Sequence, residues 1–192
     1  MKHFLVAGSG ISGMGAVRLL QKQPDVKITL YDGNKQLEPE ALYQKMTDAG
    51  IENCREVKIV LGELPDEVIA GTDVMILSPG IAIDAEFVNR VRERNVPVWG
   101  EIELAYRYTK GRVIGITGTN GKTTTTALVG EIMKNHFESV FVVGNIGTPY
   151  TSVALETRED SVIVAEISSF QLESVLDFHP VATAVLNITP DH

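Results

Sequence analysis

The sequence predicts an α/β protein built from parallel sheets and divided into two consecutive units. Short runs rich in β-branched residues alternate with segments of helical periodicity along the whole chain, a pattern typical of parallel sheets that are covered by helices. Two glycine-rich loops each follow a strand-like run and precede a helix-like one. A Lys110-Gly111 break separates the two series of elements.

The first unit is predicted to run over residues 1–97. Its strands are expected at 4–7, 27–31, 57–61, 74–77 and 96–99. Helices are expected from Ile11 onward, over 39–49 and over 84–94, where apolar residues recur at helical spacing. Pro97 indicates that the last strand lies at an edge or is only beginning there.

The second unit is predicted over residues 98–192 and begins with a connecting helix at 100–108. Its strands are expected at 112–117, 140–143, 161–165 and 181–186. A helix is expected over 123–134, with Leu128, Val129, Ile132 and Met133 on one side.

Composition argues against several classes of protein. The net charge is −8 and the Lys and Arg residues form no run, so no nucleic-acid partner is expected. Cys54 is the single cysteine, which excludes an intramolecular disulfide and a cysteine-built metal site. No stretch approaches the roughly 20 apolar residues that span a bilayer, and no signal-peptide core is present. We expect a cytoplasmic protein without a membrane partner, and a monomer.

The first glycine loop is Gly-Ser-Gly-Ile-Ser-Gly at residues 8–13, which fits G-x-G-x-x-G between a strand and a helix. Asp32 closes the next strand, 19 residues beyond Gly13. Such glycines let the backbone approach a diphosphate, and such a carboxylate accepts from a ribose hydroxyl. The first unit is therefore predicted to be Rossmann-like and to bind a nucleotide diphosphate. The alternative is a tight turn that serves only strand–helix packing.

A second turn, Ser78-Pro79-Gly80-Ile81, follows the fourth strand. Because the carboxyl ends of parallel strands meet at one edge of a sheet, it is expected beside the first glycine loop. A plain turn is the equally weighted alternative.

The second glycine loop is Gly-Thr-Asn-Gly-Lys-Thr at residues 118–123. Its backbone N–H groups can surround phosphates, Lys122 adds a positive charge, and the Thr123 hydroxyl can ligate Mg²⁺. The full G-x-x-x-x-G-K-[ST] pattern is not met, because Ile116 stands at the first glycine position. A helix dipole disfavours a lysine at its N-terminus, so a purely structural turn explains Lys122 poorly. The loop predicts an enzyme that uses ATP.

Acidic and histidine side chains are predicted near this loop. Glu166 ends an apolar strand and can either ligate Mg²⁺ or favour the N-terminus of the helix that follows. Asp191 and His192 lie in the loop after the last predicted strand and can complete a metal site.

Together these motifs resemble those of the Mur ligases, the ATP-dependent amino-acid-adding enzymes of peptidoglycan synthesis. The resemblance is carried by the loop at 118–123, Gly-Asn-Ile-Gly at 144–147, Glu-Ile-Ser-Ser-Phe-Gln-Leu-Glu at 166–173 and Asn-Ile-Thr-Pro-Asp-His at 187–192. It covers the whole chain, and the 166–173 run points to the branch that adds D-glutamate. It implies that the second unit is the first part of a P-loop-type central ATPase domain.

The resemblance also implies a role for each matching residue. Lys122, Glu166 and His192 would act in catalysis, and Thr123, Glu166 and His192 would hold Mg²⁺. The implied ATP-binding residues are Gly118, Thr119, Asn120, Gly121, Lys122, Thr123 and Thr124. The implied UDP-substrate residues are Gly10, Ile11, Ser12, Asp32, Ser78, Pro79, Gly80, Asn145 and Ser168.

The implied reaction joins D-glutamate to UDP-N-acetylmuramoyl-L-alanine through an acyl phosphate and consumes ATP with Mg²⁺. The family's chain is more than twice as long, so we expect an inactive fragment without the rest of the ATPase domain and without the C-terminal domain. Two other interpretations stay open. The first loop alone suggests a nicotinamide-dependent oxidoreductase, and the short length suggests a non-catalytic nucleotide-binding module.

Overall fold

The computed structural model describes residues 1–145 and 147–190 and contains two parallel sheets with helices packed on them. The predicted α/β class is confirmed. Ile146, Asp191 and His192 lie outside the described residues, and the role predicted for His192 lies outside them too.

The first unit is a doubly wound sheet. Its strands are β1 (Lys2–Ala7), β2 (Val26–Asp32), β3 (Lys58–Leu61), β4 (Val74–Leu77) and β5 (Val98–Gly100). Its helices are α1 (Ile11–Gln21), α2 (Pro39–Asp48), α3 (Asp66–Ala70) and α4 (Glu86–Glu93), with a 3₁₀ turn at Cys54–Glu56. The strands pair in parallel in the order β3-β2-β1-β4-β5. Because the order reverses between β1 and β4, a crevice opens at the carboxyl ends of these two strands, where such sheets bind ligands.

Helix α5 (Glu101–Tyr108) connects the units and buries two carboxylates. Glu101 and Glu103 are 3% and 0% exposed. Glu103 accepts hydrogen bonds from the backbone N–H groups of residues 176–178 and from Arg107 Nε at 2.7 Å. A buried carboxylate needs such donors, and here they attach a loop of the second unit to the connecting helix.

The second unit is built around β6 (Arg112–Thr117). It also contains β7 (Val140–Gly144), β8 (Val162–Glu166), β9 (Ala182–Val185), α6 (Lys122–Lys134), α7 (Tyr150–Val153), α8 (Ser169–Leu172) and a 3₁₀ turn at Ala154–Glu156. The strands pair in parallel in the order β7-β8-β6-β9. Since β6 lies between β8 and β9, the loops that follow these three strands meet at one edge of the sheet.

The structure differs from the sequence prediction in two places. Trp99 pairs with Ile76 and Gly100 with Leu77, so the first sheet extends beyond the boundary predicted at residue 97. We propose that the first unit ends at Gly100, where α5 begins.

The second difference concerns the apolar side of α6. Val129 and Met133 pack against the sheet. Leu128 and Ile132, on the same predicted side, are 59% and 47% exposed, because the helix is turned so that only part of its wide apolar face meets β7 and β8.

Across the described ranges, no helix is long and apolar enough to pass through a bilayer.

Candidate functional site

The phosphate loop, residues 118–123, joins β6 to α6. Gly118 has φ of +140° and Gly121 has φ of +85°, backbone conformations that favour glycine. Helix α6 begins at Lys122, directly after the loop. The N–H groups of its first turn therefore lack intrahelical partners and lie at the positive end of the helix dipole. This arrangement of strand, loop and helix is suited to binding phosphate.

Lys122 folds back over this loop. Its Nζ donates to the carbonyl oxygen of Gly118 at 2.6 Å and to that of Thr119 at 2.9 Å. The half-buried ammonium is thus held at the loop, where the oxygens of a bound phosphate would also lie.

Glu166 supplies a buried carboxylate at the same sheet edge. It is 3% exposed and pairs in register with Ile116 of β6, one residue before that strand ends. Carboxylate oxygen is a ligand that Mg²⁺ prefers, so this position suits a cation.

Thr123 lies at the second position of α6 and is exposed. Its hydroxyl and the Glu166 carboxylate are hard oxygen donors that fit Mg²⁺ when phosphate oxygens supply further ligands. In the described part of the chain, no three His, Cys, Asp or Glu side chains form a metal-binding cluster of their own. A cation at this site would therefore depend on the bound nucleotide.

A cavity of about 780 Å³ opens beside the phosphate loop. Its walls are formed by Pro79, Gly80, Thr117, Gly118, Thr119, Lys122, Asn145, Ser168, Ser169, Phe170, Leu172, Val185, Asn187, Ile188, Thr189 and Pro190. Its volume is in the range of small-molecule sites. Four residues of the loop and of the first turn of α6 do not line this cavity: Asn120, Gly121, Thr123 and Thr124.

The first glycine loop, residues 8–13, requires its glycines. Gly8 has φ of +98°, and a Cβ on it would lie 2.6 Å from Ser78 Oγ. A Cβ on Gly13 would lie 1.8 Å from the carbonyl oxygen of Gly8. Helix α1 begins at Ile11, so its free N–H groups face the crevice beside Gly10 and Ser12.

Asp32, at the end of β2, is held by this first loop. Its Oδ2 accepts from Ser9 Oγ at 2.5 Å and from the Ser9 N–H at 3.0 Å, and its Oδ1 accepts from the Asn34 N–H at 3.0 Å. Partial burial raises the pKa of Asp32, but these hydrogen bonds outweigh burial, so that the pKa lies below its ordinary value. The carboxylate is therefore ionised at neutral pH. The G-x-G-x-x-G motif alone does not predict this contact between Ser9 and Asp32.

The turn at Ser78-Pro79-Gly80 lies beside the first loop, as its position after β4 predicts. The Ser78 N–H donates to the carbonyl oxygen of Ala7 at 3.1 Å. The Ile81 N–H donates to the carbonyl oxygen of Ser78 at 3.0 Å, and this hydrogen bond closes the turn. The hydrogen bond between Ser78 and Ala7 joins the Ser78 turn to the end of β1, directly before the first glycine loop, where the strand order reverses.

A cavity of about 830 Å³ lies between the two units. Its walls combine the first loop, Asp32 and the Ser78 turn with Asn145, Gly147, Pro149 and Gln171 of the second unit. Pro79 and Gly80 border this cavity and also the cavity at the phosphate loop. The two glycine loops therefore face adjoining cavities, which together are called the cleft below.

Asn145 and Ser168 occupy the second unit's side of the cleft. Asn145 lines both cavities, and its N–H donates to the carbonyl oxygen of Glu166 at 3.1 Å. Ser168 caps α8: its Oγ accepts from the Gln171 N–H at 3.2 Å, and its N–H donates to Gln171 Oε1 at 2.9 Å. In this state the Ser168 hydroxyl is engaged in the helix cap.

Sequence reasoning missed Glu101, which also lines the cavity between the units. Its Oε1 accepts from the Thr151 N–H at 2.8 Å. Burial raises the pKa of the Glu101 carboxyl, and hydrogen bonds from Thr151 and Tyr150 only partly oppose this. A glutamate at the start of a helix is an ordinary surface feature, so the sequence holds no signal that separates it from an exposed one.

Comparison with known proteins assigns both units to one family. Residues 2–100 match the model described as Mur ligase MurD-like, N-terminal domain, and residues 116–192 match the model of the Mur ligase middle domain.

Curated relatives match over the whole chain. The UDP-N-acetylmuramoylalanine--D-glutamate ligase of Lachnospira eligens is 51% identical over 191 residues, and that of Lachnoclostridium phytofermentans is 48% identical over 191 residues. Each match covers 100% of this chain and 41% of the relative. The chain thus spans about two fifths of the length of these relatives.

Solved structures share the fold. The UDP-N-acetylmuramate:L-alanyl-gamma-D-glutamyl-meso-diaminopimelate ligase of Neisseria meningitides aligns with a TM-score of 0.57 at 16% identity, over 100% of this chain and 62% of that one. The UDP-N-acetylmuramate-alanine ligase MurC of Thermotoga maritima aligns with a TM-score of 0.52 at 24% identity, over 100% and 42%. The MurD-like model alone matches more than half of the chain, and the middle-domain model covers the phosphate loop, so the chain belongs to the Mur ligase family.

Proposed function

We propose that this chain forms the ATP-binding and UDP-substrate-binding part of a ligase that adds D-glutamate to UDP-N-acetylmuramoyl-L-alanine. The proposal is carried by one observation: the two glycine loops line adjoining cavities that share Pro79, Gly80 and Asn145. A reaction between a UDP-linked acid and ATP requires a diphosphate site and a phosphate loop within reach of each other. The choice of D-glutamate comes from the names of the relatives that match the whole chain.

ATP is proposed to bind through its phosphates at residues 118–124. The free N–H groups at the start of α6 would donate to phosphate oxygens. Lys122 would exchange its bonds to the Gly118 and Thr119 carbonyls for stronger, charge-assisted bonds to phosphate.

Mg²⁺ is proposed to bind at Thr123 and Glu166, with His192 as a further ligand. Bound there, Mg²⁺ would neutralise charge on the phosphate oxygens. Glu166 is held for this role at the end of a buried strand, so that its carboxylate would be oriented without reordering of the backbone.

The UDP part of the substrate is proposed to bind at the first unit. Residues 10–12 at the start of α1 and the turn at 78–80 would hold the diphosphate, and Asp32 would accept from the nucleoside. Asp32 already accepts two hydrogen bonds from Ser9, so it is oriented before the ligand arrives. Asn145 and Ser168 would contact the substrate from the second unit.

The proposed reaction has two steps. A carboxylate oxygen of the substrate's alanine attacks the γ-phosphorus of ATP, the bond from that phosphorus to the bridging oxygen breaks, and ADP leaves behind an acyl phosphate. The amine nitrogen of D-glutamate then attacks the acyl carbon, the carbon–oxygen bond to phosphate breaks, and the nitrogen loses a proton. Lys122 and the loop N–H groups stabilise charge on the transferring phosphoryl group, which is the main demand of such a step.

Binding and turnover test different parts of this proposal. Calorimetry on the 192-residue chain should show binding of UDP-N-acetylmuramoyl-L-alanine and, separately, of ATP with Mg²⁺. With all substrates present the chain alone should release no phosphate, since it spans 41% of the length of its relatives. Turnover by the chain alone would refute its proposed inactivity.

Nucleotide specificity separates the proposal from its rivals. UDP should raise the melting temperature of the chain, and NADH should not. A shift with NADH but not with UDP would favour an oxidoreductase instead. If the coding sequence continues beyond His192, its full-length product should release phosphate in proportion to D-glutamate consumed, whereas a non-catalytic binding module would release none. A cytoplasmic location and a monomeric state stay predictions.

A further inference from the structure

The side chain of Asn187 pairs with the phosphate loop through both of its polar atoms. The Asn120 N–H donates to Asn187 Oδ1 at 2.8 Å, and Asn187 Nδ2 donates to the Asn120 carbonyl oxygen at 2.8 Å. The carboxamide thus pairs with both backbone polar groups of Asn120, its N–H and its carbonyl oxygen, as a residue of a neighbouring strand would do. These two residues lie 67 positions apart in the chain.

Contacts at Thr119 extend this pairing. The Thr119 N–H donates to the Asn187 carbonyl oxygen at 3.1 Å. The Thr189 N–H donates to Thr119 Oγ1 at 3.0 Å. The segment after β9 therefore lies along the phosphate loop, and the Asn187 side chain makes its contact with the backbone of Asn120.

Gly118 is required by the same close approach. A Cβ on Gly118 would lie 3.0 Å from the carbonyl oxygen of Asn187 and 3.1 Å from its nitrogen. Two features therefore favour glycine at this position: its φ of +140° and the close approach of the Asn187 backbone.

A carboxamide suits this position better than other side chains. It offers one acceptor and two donors without a charge. An aspartate would keep the acceptor, but it would turn a negative oxygen toward the Asn120 carbonyl and toward any bound phosphate. An alanine would leave both polar groups of the Asn120 peptide without their partner.

We propose that Asn187 is a positioning residue for the phosphate loop, which it holds in its binding conformation before the nucleotide arrives. Because the Asn120 peptide is fixed by the side chain, the N–H groups that follow it at the start of α6 need no reordering when phosphate binds, and the cost of binding falls. This inference rests on the proposed binding of ATP at the loop.

The test is Asn187→Ala in the 192-residue chain, measured by calorimetry with ATP and Mg²⁺. The loss of two hydrogen bonds should weaken ATP binding by about 10- to 100-fold. Binding of UDP-N-acetylmuramoyl-L-alanine at the first glycine loop should stay unchanged, because a local change in the loop does not reach that site. Asn187→Asp should also weaken ATP binding, although it restores the acceptor for the Asn120 N–H.

Asn135→Ala is the matched control, since the Asn135 amide donates to the Glu131 carbonyl at the far end of α6. It should bind ATP like the unchanged chain. Equal ATP affinity in the Asn187 and Asn135 variants would overturn the inference. A parallel loss of both ligands in Asn187→Ala would also overturn it, since the residue would then support the fold rather than the loop. If the unchanged chain failed to bind ATP, the proposed function itself would fall.

Discussion

Lys122 occupies an unfavourable place for a cation, the first residue of a helix of 13 residues. The helix dipole repels positive charge there, and the two carbonyl oxygens that Lys122 contacts are neutral. The position becomes favourable when a phosphate binds. The same residue is thus expected to cost stability in the free chain and to contribute affinity in the proposed complex with ATP.

Lys122→Ala should therefore weaken ATP binding and leave the free chain as stable as before, or more so. A charge-assisted hydrogen bond contributes about 1.5–3 kcal/mol, so the dissociation constant should rise by about 10- to 100-fold. Calorimetry with ATP and thermal unfolding without ligand measure the two effects.

Lys134→Ala provides the control at the opposite end of α6, where Lys134 is exposed and pairs with Glu131. Its ATP affinity should not change. A Lys122 variant that binds ATP normally would contradict the proposed role.

At the scale of elements, helix α5 is more than a linker. Glu103 is fully buried, and its two oxygens together accept from the backbone at residues 176–178. Arg107 completes the cluster by bonding both Glu103 and Asp177. The helix therefore carries a polar contact that holds a loop of the second unit in place.

Glu103→Gln should lower the free energy of unfolding by about 3 kcal/mol, because one carboxylate oxygen becomes an amide that cannot accept from the backbone and the ion pair to Arg107 is lost. Urea unfolding followed by circular dichroism measures this loss. Glu131→Gln, which removes an exposed carboxylate, should cost less than about 1 kcal/mol. Similar costs for the two variants would show that the backbone contacts contribute little.

The long elements could be predicted from sequence because each has a clear period. Strands β1 and β8 contain continuous apolar runs at 4–7 and 162–165, and α1 repeats its buried residues at helical spacing. The short helices α3 and α7 were missed, since four or five residues do not establish a period, whereas a helix after Glu166 was expected where α8 lies. The exposure of Leu128 and Ile132 depends on how α6 is turned on the sheet, which local pattern does not determine.

At the scale of the whole molecule, the cleft could be predicted only in part. Both glycine loops are local motifs, so their positions at the strand ends follow from the sequence. The contacts that fix them do not, because Asn187 and Asn120 or Glu101 and Thr151 meet across 67 and 50 residues of chain. The pairing of β6 with β9 brings the first pair together, and the packing of α5 against α7 brings the second.

Glu101 gives this packing a measurable dependence on pH. It lies at the junction of the units, and burial raises the pKa of its carboxyl above the ordinary value of 4.5, against the hydrogen bonds from Thr151 and Tyr150. As the pH rises through 4.5, the unfolded chain releases this proton first, so the folded state loses stability until the pH passes the raised pKa.

Glu101→Gln removes this titration and keeps an oxygen that can accept from the Thr151 N–H. Its free energy of unfolding, relative to that of the unchanged chain, should therefore rise between pH 4 and the raised pKa and stay constant above it. Urea unfolding at a series of pH values measures the difference. Glu159→Gln, on the surface, controls for the loss of a carboxylate. A difference that stays the same at every pH would mean that Glu101 keeps its ordinary pKa in the folded chain, and that the junction is not sensitive to its charge.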